Sequence, residues 1–174
     1  MERAEVPGTV SEQKLREWIE TYSGMILKTC FVCLSDRQQA EDAMQDTFIK
    51  AWKHMDDLRR KGIRNEKAWL LRIAVNTCRD YRRTAWFRHV DARVALEDLL
   101  PRLTETEPED RDLLLTVLGL PDRFRQVILL YYYHGLTEQE TAEVVGASLT
   151  TVNRRLRKAE ALLRTALEGG ERHA

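Results

Sequence analysis

The sequence predicts an all-α protein with two small helical domains joined by an acidic linker. Apolar residues recur with helical periodicity along most of the chain, and no period-two alternation is long enough for a strand. Four prolines and eight glycines are few interruptions for 174 residues. Residues 89–110 contain two prolines and seven acidic residues, which is typical of a linker. The predicted domains are therefore residues 11–88 and 111–168.

Composition excludes several protein classes. Lys and Arg (28) balance Asp and Glu (28), and 43% of the residues are apolar, which is enough for a core. The apolar runs are far shorter than the ~20 residues that span a bilayer, and residues 1–5 lack the layout of a signal peptide. Three cysteines, an odd number, argue against a disulfide framework. We therefore expect a cytoplasmic protein and exclude secreted, membrane-spanning and disordered classes.

The zero net charge hides a partition into basic and acidic segments. Residues 59–88 carry 10 basic and 2 acidic groups, a net charge of +8, and residues 148–174 carry 6 against 3, a net charge of +3. The linker between them carries 2 against 7, a net charge of −5. Two basic segments on one neutral chain indicate two contacts with a polyanion, although solvated helix faces have the same composition.

The first domain contains three predicted helices. The first covers Ser11–Leu34 with Ser11 as its N-cap, and the second covers Gln38–Leu58. The third covers Glu66–Phe87, after a basic loop at Arg59–Asn65. The predicted core face of the second helix consists of Ala40, Ala43, Met44, Thr47, Phe48, Ala51 and Trp52.

An adjacent stripe of the second helix is a candidate protein-docking face. It consists of Asp42, Gln45, Asp46, Ile49 and Lys53. Two acids, an amide and one exposed apolar residue suit a protein interface. Taken alone, the stripe is more typical of a solvated helix face.

The third helix carries a mixed stripe about 130° from its core face. The core face consists of Leu70, Ile73, Ala74, Thr77 and Tyr81. The mixed stripe consists of Trp69, Arg72, Asn76, Arg79 and Arg83. An aromatic ring can stack on an unpaired base, an amide can bond a base edge, and guanidinium groups can hold phosphates. The stripe therefore suits single-stranded nucleic acid. Partial burial at the core edge is the competing interpretation for Trp69.

The second domain contains a helix, a second helix from Pro121, and a final helix pair with the signals of a helix-turn-helix. Thr137 followed by Glu140 forms a capping box, Gly146 supplies a left-handed C-cap, and Ser148 caps the next helix. In the last helix, the apolar face consists of Val152, Leu156, Ala159 and Leu163. The opposite face consists of Thr150, Asn153, Arg154 and Arg157. The polar face suits the DNA major groove; the alternative is an ordinary amphipathic hairpin.

Other motifs carry less weight. The cysteines Cys30, Cys33 and Cys78 form an incomplete zinc set even with His89, so buried thiols are the better interpretation. Tyr131–Tyr133 is expected in the core of the second domain. No nucleophile–base arrangement or phosphate-binding loop is present, so we expect no catalysis, no cofactor and no metal.

With these motifs in this order, about residues 11–167 resemble the extracytoplasmic-function sigma factors of the sigma-70 family. Ala40–Trp52 resembles the helix of region 2 that binds core RNA polymerase, and residues 68–83 resemble the helix that melts and reads the minus-10 element. Leu120–Leu130 and the helix-turn-helix after it resemble region 4, which reads the minus-35 element. The resemblance implies that the protein directs promoter-specific initiation and is not an enzyme.

The resemblance also assigns residues to these contacts. The residues assigned to core polymerase are Asp42, Gln45, Asp46, Phe48 and Ile49. Those assigned to the single-stranded minus-10 element are Trp69, Arg72, Asn76, Arg79, Asp80 and Arg83. Those assigned to the double-stranded minus-35 element are Thr150, Asn153, Arg154, Arg157 and Lys158. The segment Asn153–Arg155 departs from the family pattern of Lys or Arg, then Ser, then Arg, so a different base preference is expected.

Further partners follow from the resemblance. The family is commonly held inactive by an anti-sigma factor, often a membrane-anchored one, which is the expected regulatory partner. The acidic linker resembles the segment that threads through polymerase toward the RNA exit path. A stand-alone helix-turn-helix regulator and a thiol- or zinc-dependent sensor using Cys30, Cys33 and Cys78 are the alternative functions.

Overall fold

The structure, a computed structural model, describes residues 10–84, 113 and 115–171, with side chains up to residue 169. Its helices are α1 (Val10–Leu34), α2 (Arg37–Lys53), α3 (Met55–Arg60), α4 (Glu66–Arg83), α5 (Asp122–Ile128), α6 (Glu138–Val145) and α7 (Leu149–Glu171). Within these residues no strand occurs, so the predicted all-α class is confirmed. The predicted linker at 89–110 lies outside the described residues.

Helices α1, α2 and α4 pack around one apolar core that includes Ile26, Leu70 and Leu71. A buried indole fixes the start of α4 against α1, because Trp18 Nε1 donates a hydrogen bond to Glu66 at 2.9 Å. Lys14 pairs with the same carboxylate at 2.8 Å. Burial alone would raise the pKa of Glu66, but these two donors hold the pKa below its usual value.

The second predicted helix is divided at His54, so the expectation of one helix over Gln38–Leu58 is wrong. The backbone of His54 (φ −104°, ψ 16°) leaves the helical region, and α3 begins at the next residue. Asp56 and Asp57 then stand in the first turn of α3, where the helix dipole favours carboxylates. The acidic pair therefore marks a helix start that apolar periodicity does not reveal.

The predicted caps of the helix-turn-helix are all present. Glu140 N donates to Thr137 Oγ1 at 3.0 Å, and Thr137 N donates to the Glu140 carboxylate at 3.2 Å, which completes the capping box. Gly146 ends α6 in the left-handed conformation with φ 70°. Ser148 Oγ accepts from Thr151 N at 3.2 Å and caps α7. Local side-chain chemistry thus determines both ends of the turn.

The segment after α5 is π-helical, over Leu129–Tyr133. His134 N bonds Leu129 O at 2.9 Å, and this wider turn changes which side chains face inward. Leu129 and Leu130 are buried, whereas Tyr132 and Tyr133 are exposed. The expectation that the whole tyrosine run belongs to the core is therefore wrong for its last two residues.

The two domains pack against each other, α4 against α6 and α1 against α5. His134 lies at this contact and is only 7% exposed. Its Nε2 is 2.9 Å from the hydroxyl of Thr29, which is fully buried on α1. Burial, with Lys67 and Lys28 nearby, lowers the pKa of His134 to about 4. The imidazole is therefore neutral in the folded chain near pH 7.

We expect His134 to make the protein acid-sensitive. Above about pH 6.5 the imidazole is neutral in both folded and unfolded chains; between 6.5 and about 4 only the unfolded chain binds the proton. The free energy of unfolding should fall through this window by up to roughly 3 kcal/mol. His134→Gln should remove this part of the pH dependence in urea unfolding. His54→Gln, which changes an exposed imidazole, should leave it unaltered.

Candidate protein-docking and nucleic-acid interfaces

The exposed face of α2 presents an apolar pair. Ile49 is 49% exposed and Trp52 is 45% exposed, one helical turn apart. Asp42 and Gln45 are exposed on the preceding turns. Phe48, by contrast, is 6% exposed and packs in the core, so it is not available to a partner. Two large apolar side chains within a polar surface form a protein-docking patch.

Trp52 is the residue of this patch that sequence reasoning assigned to the core. The core position at that level is filled by Ala51, which is fully buried, and Met55 occupies the next one. Trp52 points outward with Ile49 because the two residues are three apart. Trp52 also follows Phe48 at the i, i+4 spacing of the core face, which is why the sequence pattern predicts it in the core, whereas its three-residue spacing from Ile49 indicates the exposed face.

Asp46 has a structural contact in addition to its place on the predicted docking face. The hydroxyl of Tyr81 on α4 donates to Asp46 Oδ2 at 2.5 Å. Burial and the carboxylate together raise the pKa of Tyr81 above its usual value. Asp46 is half-buried and holds α2 to α4. A substitution at Asp46 therefore changes the bundle as well as the surface.

The mixed stripe of α4 is partly exposed. Trp69 is half-buried against Trp18, with ring centroids 5.6 Å apart, as the competing interpretation for this residue requires. The remaining members are exposed and comprise Arg72, Asn76, Arg79, Asp80 and Arg83. Asp80 pairs with Lys50 at 3.7 Å, so the outward charge of the stripe is cationic.

Part of this stripe faces the second domain. Arg79 Nη2 donates to the carbonyl oxygen of Val145 at 3.1 Å, at the end of α6. Trp69 and Arg72 line a cavity of about 310 Å³ whose opposite wall includes Glu140 and Glu143 of α6. The predicted strand-binding residues are thus gathered on one helix face, and its end at Trp69 and Arg72 lies across a cavity from two carboxylates.

The outer face of α7 presents cations to solvent. Thr150, Arg154, Arg157 and Lys158 are exposed, whereas Val152, Leu156 and Ala159 are buried as predicted. Asn153 is half-buried, and its amide nitrogen, in the orientation that satisfies its hydrogen bonds, donates to Glu138 at 2.7 Å. The first turn of α6 thereby positions an amide on the recognition helix. The face has the dimensions and donors that a major groove accepts.

The three cysteines are free and buried, as predicted. The contact with Cys78 and burial raise the pKa of Cys33. The contact with Cys30 and burial raise the pKa of Cys78, against a lowering by Cys33. Thiols of raised pKa are weak nucleophiles and weak metal ligands at neutral pH. Among the described residues no group of three metal-ligating side chains occurs, and no helix in that part is long and apolar enough to cross a membrane.

Comparisons with known proteins give the same order of elements. The profile of the family Sigma-70 region 2 matches residues 18–88, and that of Sigma-70, region 4 matches residues 110–163. The ECF RNA polymerase sigma factor SigW of Bacillus subtilis is 30% identical over 165 residues, 86% of this chain and 86% of that protein. SigL of Mycobacterium tuberculosis is 30% identical over 158 residues, 88% of this chain and 89% of that protein.

Solved structures are similar over nearly the whole chain. CnrH, solved in complex with the cytosolic domain of CnrY, is 27% identical with a TM-score of 0.66, covering 91% of this chain and 90% of CnrH. The sigma factor RpoE of Bartonella quintana, in complex with the anti-sigma factor NepR, is 20% identical with a TM-score of 0.68, covering 90% and 98%. With both family profiles and the curated relatives in agreement, the chain belongs to the extracytoplasmic-function sigma factors of the sigma-70 family.

Proposed function

We propose that this sigma factor docks on core RNA polymerase through α2, holds the unpaired minus-10 strand on α4, and reads the minus-35 duplex with α7. The observation that supports this assignment most is the presence of three separate surfaces of different chemistry on one chain. An apolar pair with acidic neighbours suits a protein, a cationic stripe with an amide and an indole suits a single strand, and a helix-turn-helix suits a duplex.

The docking surface is centred on Ile49 and Trp52. Large aromatic and apolar anchors carry most of the energy of protein interfaces, whereas exposed acids at the rim chiefly steer association. Asp42 and Gln45 therefore belong to the rim in this proposal. Asp46 contributes by holding α2 against α4, and Phe48 contributes through the core beneath the surface.

The duplex surface is centred on Arg154 and Arg157. Guanidinium groups in the major groove can bond guanine bidentately, and Lys158 and Thr150 beside them suit phosphate contacts. Asn153 is directed by Glu138, so its amide is preorganised for a base edge. These side chains lie on a helix that follows a turn capped on both sides.

The strand surface requires donors that are free to meet a nucleic acid. Asn76 and Arg83 are exposed on α4, and Arg72 and Arg79 lie on the same face. Unstacking a base costs a few kcal/mol, which phosphate contacts and stacking on a side chain can offset. Asn76 is the member best suited to bond a base, because its amide both donates and accepts.

We propose that the chain itself performs no catalytic step and acts in the cytoplasm, where its polymerase partner works. An anti-sigma factor is the proposed regulatory partner. Support for a protein inhibitor comes from CnrH, a 27% identical relative that was solved with a bound protein domain. Run-off transcription with core polymerase across a genomic promoter library would identify the promoters.

We expect Ile49→Glu and Trp52→Glu each to weaken binding to core polymerase by about tenfold or more, because each buries a charge at the centre of the interface. Thermal unfolding should change little, since both side chains are exposed. Ile19→Glu is the matched control, because Ile19 is similarly exposed, at 42%, and lies on a different helix, α1. Retained polymerase binding by both variants would remove the Ile49 and Trp52 patch of α2 from the docking role.

Arg154→Ala and Arg157→Ala should each cost about 1–3 kcal/mol in binding to a minus-35 duplex and relax the preference at one base pair. Arg164→Ala, an exposed arginine farther along α7, is the matched control. Fluorescence anisotropy on single-base variants of the site measures both quantities. Uniform weakening across sequences with a shallower salt dependence would instead identify phosphate contacts.

Asn76→Ala should impair promoter opening while polymerase assembly and minus-35 binding remain intact. The measurement is permanganate reactivity of unpaired thymines on an ordinary promoter and on one already mismatched at the minus-10 element. The mismatch should restore part of the reactivity, because it removes the cost of unpairing but not the loss of base recognition. Wild-type reactivity of Asn76→Ala on the ordinary promoter contradicts the assignment.

A further inference from the structure

We propose that a cleft lined by arginines of α4, α5 and α7 is a binding site for a small anion made of several phosphate groups. The cleft has a volume of about 400 Å³, which lies within the range of small-molecule sites in proteins. Arg79 is the one lining residue that the proposed function also uses. The inference therefore goes beyond the proposed function and does not depend on it.

Four arginines and one aspartate line the cleft. Arg79 and Arg82 lie on α4, whereas Arg123 lies on α5 and Arg155 on α7. Asp122 is the acid among the described lining residues, so these five side chains carry a net charge of +3. Because the arginines come from three helices of both domains, they line one concave space instead of forming a stripe on a single helix.

The negative charge of the aspartate is already engaged. Asp122 pairs with Arg82 at 2.7 Å and also with Arg125. The three remaining arginines of the cleft form no ion pair with any carboxylate that the structure describes. One of them, Arg79, donates to the carbonyl oxygen of Val145 at 3.1 Å, and this neutral acceptor leaves its charge uncompensated. The cleft therefore holds cations without counterions from the described part of the chain.

Arg155 is the member whose position most requires a partner. It is half-buried where α7 borders the cleft, whereas Arg154 and Arg157 of the same helix are exposed. A charged group that is withdrawn from water ordinarily has a partner of opposite charge. Repulsion is also present at this place, because burial and then the charge of Arg82 lower the pKa of Arg125. A bound anion would relieve this repulsion.

Phosphate groups fit this arrangement better than carboxylates do. A guanidinium group can donate two parallel hydrogen bonds to either anion. A planar carboxylate offers two oxygens, whereas a terminal phosphate offers three, which donors from several helices can reach from different directions. One phosphate monoester carries a charge of about −1.5 to −2 at pH 7. Two or more phosphate groups are therefore needed to offset the charge of the cleft.

The cleft lacks a platform for a nucleobase. The lining residues that the structure describes include no aromatic side chain. The ring of the neighbouring Phe124 is covered by Arg123, whose Cζ lies 4.6 Å from the ring centroid. Stacking on an aromatic ring is the usual way to hold an unpaired base. The half-buried amide of Gln126 adds a donor that suits a phosphate oxygen. The site thus recognises the phosphate groups themselves.

Isothermal titration calorimetry of the full chain at low ionic strength measures binding of inorganic phosphate, pyrophosphate and tripolyphosphate. We expect one site whose affinity rises by roughly tenfold with each added phosphate group, because each group engages a further guanidinium. Citrate, a multivalent carboxylate, should bind at least about tenfold more weakly than tripolyphosphate. ATP distinguishes the two sources of such a ligand. Tighter binding of ATP than of tripolyphosphate assigns the site to a nucleotide, and equal or weaker binding assigns it to a free oligophosphate.

Two variants place the ligand in the cleft. Arg123→Gln and Arg155→Gln each remove one cation, and neither residue is among those assigned above to polymerase or promoter. Each should weaken tripolyphosphate binding by roughly tenfold or more. Arg164→Gln removes the same charge at an exposed position of α7 and is the matched control, which should bind as the wild type does. Thermal unfolding without ligand checks that each variant folds, and using two keeps the test valid if one does not.

Four results overturn the site: no binding of tripolyphosphate by the wild type, unchanged binding in the folded cleft variants, an equal loss in Arg164→Gln, or citrate that binds as tightly as tripolyphosphate. Fluorescence anisotropy with a mixed-sequence duplex gives a fifth outcome. Duplex affinity of Arg123→Gln and Arg155→Gln should equal that of Arg164→Gln. If both variants lose duplex binding as strongly as tripolyphosphate binding, the arginines belong to a nucleic-acid surface and the proposal fails.

Discussion

Helix α4 has to satisfy two demands at once, and the rest of the molecule is arranged around that constraint. One face, with Leu70 and Ala74, is fully buried and completes the core of the first domain. The opposite face carries the cationic stripe, which cannot be buried without partners. Trp18 and Lys14 fix the start of the helix through Glu66, and Asp46 fixes its far turn through Tyr81. These contacts hold the stripe in one orientation, which any use of it for binding requires.

Features determined by neighbouring residues were predictable from the sequence. The capping box at Thr137, the left-handed Gly146 and the Ser148 cap involve atoms three or four positions apart, so the helix-turn-helix could be predicted before its structure was known. The break at His54 and the outward Trp52 were not predicted. Both depend on which positions the core has room for, and apolar character alone does not reveal that.

The contact between the domains could not be predicted for a different reason. Its partners are far apart in sequence: Thr29 meets His134 across 105 positions, and Ser35 meets Arg125 across 90. Each residue alone is unremarkable, since a histidine or an arginine in a charged chain has no pattern that identifies its partner. The charge partition indicated that the two basic segments contact a polyanion, which carries the opposite charge. It did not reveal that part of that opposite charge lies in the same chain.

Helix α6 contacts both α4 of the first domain and α7 of its own domain. Glu140 and Glu143 face α4, whereas Glu138 on the same helix bonds Asn153 of α7. The bond to Asn153 lies within the second domain, whereas the two carboxylates at the cavity face the first domain. Buried Val144 and Val152 hold α6 and α7 in the same core. One short helix therefore faces the first domain with two carboxylates and supports the helix-turn-helix with a third, so its position connects the two domains.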